Sequence, residues 1–114
     1  MDISVEDIAG GVTRVALQGR LDTTAAVMME LPLNTVAADK KAIVVDLSAV
    51  TFLASYALRV LLMGARIAGS KGGKLVVVCP DNNVAKVLRG AGASDLIPVV
   101  ADAKAAIAAL ATTA

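Results

Sequence analysis

Ser55 is the residue of this chain best placed to do chemistry. It follows the apolar run Ile43, Val44, Val45 and the short loop expected after Asp46, and it precedes a long amphipathic stretch. A serine at that junction suits the N-cap of a helix, where its hydroxyl accepts one of the backbone N–H groups that lack an intrahelical partner. The same place favours a phosphate, because the helix dipole and the free N–H groups attract negative charge. Arg59, four residues on, stands one turn away and is able to pair with a phosphate there. Unmodified capping is the plainer account of the same serine and requires no function.

Few other residues compete for a chemical role. The chain has no histidine, which removes the usual general base, the usual zinc ligand and every Ser-His or Cys-His nucleophile pair. Its single cysteine, Cys79, closes the apolar run 75–79 and reads as a small buried hydrophobe without metal-ligand companions. Gly69-Ser70-Lys71-Gly72-Gly73-Lys74 has glycines and lysines, but its spacing is wrong for a phosphate loop, and it leads from helix into strand. Gly90-Ala91-Gly92 is a lone glycine pair after a helix. Asp46, at a strand end, has the placement of a receiver-domain phosphoacceptor, but the first strand brings no acidic pair to hold magnesium beside it. An enzyme is not expected, and no cofactor or metal is implied.

The elements that must position Ser55 follow from periodicity. Ile3, Val5, Val12, Val15 and Leu17 flank Gly10-Gly11, a hairpin turn between two strands. Asp22 is expected to cap a helix carrying Ala25, Ala26, Met29 and Leu33, interrupted or kinked near Pro32. The strand 43–45 ends at Asp46, and the helix from Ser55 is closed by Gly72-Gly73. The run 75–79 is a second fully apolar strand, as a parallel strand covered on both faces allows. Asp81 caps a short helix with Val84, Val87 and Leu88, ended by Gly90 and Gly92. Residues 97–100 form a short edge strand, since Pro98 cannot sit in a central ladder. Asp102 caps a last helix with Ile107 and Leu110 on one stripe. The expectation is one α/β domain over residues 1–114. Its mixed sheet has four or five strands, the first two antiparallel and the rest mainly parallel, with about four helices.

Composition narrows the partners. The chain has 114 residues, is 57% apolar and has two aromatics, Phe52 and Tyr56, so alanine, valine, leucine and isoleucine must fill the core. Eleven basic residues against ten acidic ones leave a net charge of +1. That is no electrostatic footprint for nucleic acid or for an acidic membrane surface. No apolar run reaches the roughly 20 residues of a membrane helix, and the N-terminus lacks the basic-then-apolar form of a signal peptide. A cytoplasmic protein with no direct membrane insertion is expected.

Steps of 100° from Ser55 divide the helix. Ala57, Leu58, Val60, Leu61, Gly64, Ala65, Ile67 and Ala68 form a broad arc expected to bury. Ser55, Arg59, Leu62, Met63, Arg66 and Ser70 lie on the other side. A purely solvated face needs no Leu62 or Met63 between two arginines, which suggests a partner surface; ordinary flanking of the core accounts for the two residues equally well.

With these residues in order, the chain resembles the STAS domain, most closely the stand-alone anti-sigma factor antagonists. The resemblance rests on Gly19-Arg20-Leu21-Asp22 after the second strand, on residues 45–53 leading to the Ser55 helix, on Gly73-Lys74-Leu75-Val76-Val77, and on residues 88–99. It implies that unphosphorylated protein binds an anti-sigma factor that is itself a serine kinase, and that phosphorylation of Ser55 ends the binding. It also implies that Asp22 joins Ser55, Arg59, Leu62, Met63 and Arg66 in the partner surface. The family loop usually reads Asp-Ser-Ser/Thr-Gly; here it is Ala54-Ser55-Tyr56-Ala57. As alternatives behind this leading reading, the resemblance also admits a STAS-only subunit of a lipid-transporting ABC system and, third, a small-ligand-binding STAS domain.

Overall fold

The computed structural model describes residues 2–80 and 83–111. Among them are five strands and four α-helices. The strands are β1 (Asp2–Ile8), β2 (Val12–Leu21), β3 (Ala42–Leu53), β4 (Lys74–Val78) and β5 (Val99–Val100). The helices are α1 (Thr23–Asp39), α2 (Ser55–Ser70), α3 (Asn83–Gly90) and α4 (Ala103–Ala111). The strands lie in sequence order, β1 antiparallel to β2 and every later pair parallel. Gly10 and Gly11 make the hairpin with φ of 80° and 75°, a backbone region that side chains with a Cβ rarely enter. The mixed sheet expected from the sequence is the one observed, with β3 at its centre and the short β5 at an edge.

Alternation in the strands separates two cores. Ile43, Val45, Leu75 and Val77 point to the face covered by α1, α2 and α3, where Leu33, Leu61 and Leu88 are fully buried. Val12, Val44, Val76 and Val78 point to the other face and pack with Ala106 of α4. Both faces of β3 and β4 are therefore apolar, as their continuous runs required.

Several local expectations change in the folded chain. The strand read as ending at Asp46 continues to Leu53, because residues 47–53 pair with β2 as far as Leu21 opposite Leu53. Register shifts between Ala16 and Gln18 and between Gly19 and Arg20 break the two-residue period, so a simple alternation rule loses the strand there. α1, expected to be interrupted or kinked near Pro32, is one unbroken helix. Burial of Ala25, Ala26, Met29, Leu33 and Ala37 on both sides of the proline offsets the hydrogen bond that it cannot donate. On α4, Ile107 is exposed and Ala106 takes the buried place, with Leu110 partly buried. Asp22 and Asp102 cap their helices as expected, accepting from Ala25 N–H at 2.9 Å and Ala105 N–H at 2.8 Å. The cap proposed at Asp81 lies outside the described residues.

The end of α2 is fixed tightly to the start of β3. Gly73 donates to the Ala68 carbonyl at 2.8 Å, and Lys74 donates to the Lys41 carbonyl at 2.7 Å. A Cβ at Gly73 would meet the Lys41 carbonyl oxygen at 2.7 Å and its Cα at 2.9 Å, both backbone atoms that cannot step aside. Gly73→Ala should therefore destabilise the fold by about 1–3 kcal/mol. Gly69→Ala, where a Cβ meets nothing within 4 Å, should be neutral or slightly stabilising. Urea unfolding midpoints of the two variants check the contrast.

Candidate functional site

The site is built where β2 and β3 end side by side. The Ala54 N–H donates to the Leu21 carbonyl at 2.9 Å, joining the turn into α1 to the turn into α2. This bond holds Ala54 in extended backbone (φ −76°, ψ 158°), and the Ala54 carbonyl then accepts from Leu58 N–H at 3.1 Å. Ala54 is thus the N-cap, and it supplies no side-chain bond. This corrects the expectation that Ser55 caps the helix: Ser55 is the first helical residue, and its side chain is exposed. Its hydroxyl still lies beside the unpaired N–H groups of the first turn. Asp22, capping α1 at the adjoining junction, is exposed as well.

The outward face of α2 keeps the division that the helix wheel predicts except at Leu62, which packs against the main core as Ala65 and Ile67 do. Ala57, Leu58, Val60, Leu61, Gly64 and Ala68 are buried, while Ala65 and Ile67 are partly buried. Arg59 and Arg66 are exposed, Leu62 is half-buried and Met63 is 46% exposed. Among the described residues neither arginine forms an ion pair. Arg59, Leu62, Met63, Ala65 and Arg66 line a groove of about 360 Å³ whose opposite wall is Leu96, 72% exposed. Leu96 escaped the sequence reading because, beside Ile97 in an irregular segment, it carries no periodicity to tell an outward leucine from a core one.

Two further contacts shape the site's flank. The Tyr56 hydroxyl donates to Glu30 Oε1 at 2.9 Å, tying the first turn of α2 to α1, and this bond raises the phenol's pKa. The Arg20 guanidinium lies 4.4 Å from the centre of the half-exposed Phe52 ring, a cation–π contact beside Asp22. A hollow of about 430 Å³ adjoins it, lined by Arg20, Asp22, Thr24, Ala25 and Met28. Neither Arg20 nor Glu30 was singled out from the sequence, since a cross-element partner leaves no spacing signal.

Asp46 is occupied elsewhere. Its Oδ2 accepts from Arg14 at 2.6 Å, and its Oδ1 accepts from the Ser48 amide at 2.9 Å and the Ser48 hydroxyl at 2.6 Å. Arg14 also reaches Glu6 at 2.9 Å. This network crosses β1, β2 and β3 on the sheet face away from α1 and α2, and it engages both carboxylate oxygens. Cys79 is buried, and burial pushes its thiol pKa up, away from reactivity. Among the described residues no group of three or more His, Cys, Asp or Glu is placed to hold a metal ion. No helix among them is long and apolar enough to cross a membrane.

Burial pushes the Asp46 carboxyl up, but the hydrogen bonds from Ser48 and Arg14 outweigh it and hold the carboxyl below its ordinary value. A carboxyl lowered in the folded state adds stability above its unfolded pKa, near ~3.9, and that contribution is lost as pH falls through the folded value. The wild type should therefore lose stability more steeply than Asp46→Asn as the pH falls below about 4. Urea midpoints of both proteins measured across that acid range check the difference in slope.

The comparisons with known proteins agree with this geometry. The family described as "Mlab, STAS domain" matches residues 4–98. An anti-sigma factor antagonist from Mycobacterium paratuberculosis superposes with a TM-score of 0.88 and 30% identity, covering 96% of this chain and 93% of that one. A putative anti-sigma factor antagonist from Thermotoga maritima gives 0.85 at 18% identity, over 96% and 94% of the two chains. The Bacillus cell fate determinant SpoIIAA in its phosphorylated form gives 0.71 at 18% identity, over 95% and 98%. At these lower identities the likeness is one of fold. No curated protein matches the chain in sequence.

Proposed function

Since the chain belongs to the STAS domain family, we propose that it is an anti-sigma factor antagonist: a regulatory module that binds an anti-sigma factor with serine-kinase activity and is released when Ser55 is phosphorylated. The observation that carries this reading is the outward face of α2, where an exposed serine on the first turn leads into Arg59, Met63 and Arg66. The antagonist from Mycobacterium paratuberculosis supports the class of partner. Binding rather than catalysis is the activity that such a face supplies. Asp22 extends the surface across the Leu21–Ala54 junction.

Phosphorylation would act by charge. A phosphoserine carries about −1.5 to −2 charges at neutral pH. The helix N-terminus tolerates it, and Arg59 one turn on is free to turn toward it. The fold therefore survives modification, while a partner pressed against Ser55 would meet an added charge that costs several kcal/mol to desolvate unless paired. Ala54 removes the carboxylate that would position the hydroxyl in a kinase site, and Tyr56, held by Glu30, adds bulk beside it. These departures slow the modification without disabling the surface. The second reading, a STAS-only subunit seated on the ATPase of a lipid-transporting ABC system, uses the same helix face and stands beside the first in the family match, described as Mlab, STAS domain.

Titration against the histidine-kinase-fold anti-sigma factor encoded near the gene tests the proposal. Ser55→Glu should lower affinity at least about tenfold, ~1.4 kcal/mol, and Ser55→Ala should leave it nearly unchanged. Incubation with that kinase and ATP should place phosphate on Ser55, faster in an Ala54→Asp variant. Selective binding to a transporter ATPase instead would move the assignment to the second reading.

A further inference from the structure

Resting on the reading that the outer face of α2 receives the partner, we propose that the groove between α2 and Leu96 seats an amphipathic helix of that partner, one that presents two carboxylates about two turns apart with apolar residues between them. The floor and far wall of the groove are apolar: Leu62, Met63, Ala65 and Leu96. Its charged residues are Arg59 and Arg66, and no acidic side chain lines it. The two arginines stand seven residues apart on one stripe of α2, hence about 10 Å apart along the axis. A rigid rod with the same repeat meets both at once, because residues seven apart on a second helix share a face at the same separation.

The shape of the groove also favours a helix over a compact ligand. It runs into a second hollow of about 560 Å³ that shares Ala65 and Leu96 and continues past Gly69, Gly73 and Asp95. Together the two follow α2 from Arg59 to Gly69, roughly 15 Å at the rise of a helix, and reach Gly73 just beyond its end. The trough has α2 on one side and the irregular segment 95–98 on the other. That is the form of a groove for a helix, with apolar anchors at positions i, i+3 and i+4. The second hollow is lined by both Lys74 and Asp95, so the unbalanced positive charge that selects carboxylates lies in the first, at Arg59 and Arg66. Leu96 supplies the anchor: an exposed leucine facing two arginines gains most from an apolar residue inserted between it and Met63.

The probe is a stapled helical peptide of about 18 residues, with glutamates seven apart and leucines three and four positions after the first glutamate. A twin carries lysines in place of the glutamates. Fluorescence anisotropy at low salt should show saturable binding of the glutamate peptide and roughly tenfold or weaker binding of the lysine twin. The Arg59→Glu/Arg66→Glu double variant should reverse that preference, a crossed result that misfolding cannot produce. Leu96→Lys, at a side chain already mostly in solvent, should weaken the glutamate peptide about tenfold and leave the unfolding midpoint unchanged. Amide shift changes should fall on 59–66 and 95–98. Equal binding of the two peptides, no binding of either, or shifts confined to other elements would overturn the proposal. So would a concentration-dependent dimer abolished by Leu96→Lys, which would give the groove to a second copy of this chain. An anti-sigma factor that is lost on Ser55→Glu but bound normally by Leu96→Lys would remove the groove helix and leave the antagonist function standing. Peptide binding as described, with no anti-sigma factor bound, would do the reverse.

Discussion

The parallel pairing of β2 with β3 is the constraint on which the rest of this structure depends. It runs from Val12 opposite Ala42 to Leu21 opposite Leu53, through two register shifts, and ends in the bond from Ala54 to Leu21. Because both strands finish at the same level, the turns into α1 and α2 lie together. Asp22 and Ser55, far apart in sequence, become neighbours through one backbone hydrogen bond. The same bond decides that Ala54 is the N-cap, and so presents Ser55 to solvent on the first turn instead of folding its hydroxyl back on the helix.

A core without large aromatics imposes its own geometry. Ala26, Ala37, Ala57, Ala68 and Ala106 are fully buried, so helices can approach the sheet and one another closely. α2 gains a wide buried arc of small and aliphatic residues and keeps an opposite side with no structural duty. That side carries Arg59, Met63 and Arg66, which the fold does not use. An outward side left to solvent is what remains when the arc facing the sheet has already met the demand for burial.

The polar groups on the other sheet face serve the opposite purpose. Asp46, Arg14, Ser48 and Glu6 satisfy one another across three strands where α4 leaves the sheet uncovered. A carboxylate with three hydrogen bonds is a cross-strand tie on the sheet face opposite α2.

Much of this was determined by the sequence alone. The glycine pair at the hairpin, the apolar runs of β3 and β4 and the caps at Asp22 and Asp102 are local signals, and each acts over a few residues. The periodicity of α2 separated its buried and outward sides for the same reason, since residue spacing on a helix is a property of the helix itself. What only the tertiary structure decided depends on two segments meeting. Residues 47–53 are strand because β2 lies beside them, and the register shifts hide the alternation that would have shown it. Pro32 stays within α1 because residues on both sides of it are buried by the sheet and α2. Ser55 moved from cap to first turn because Leu21 claimed the Ala54 amide. Leu96 became a wall of the groove because the segment after α3 returns along α2, and no spacing within the chain encodes a contact made across space.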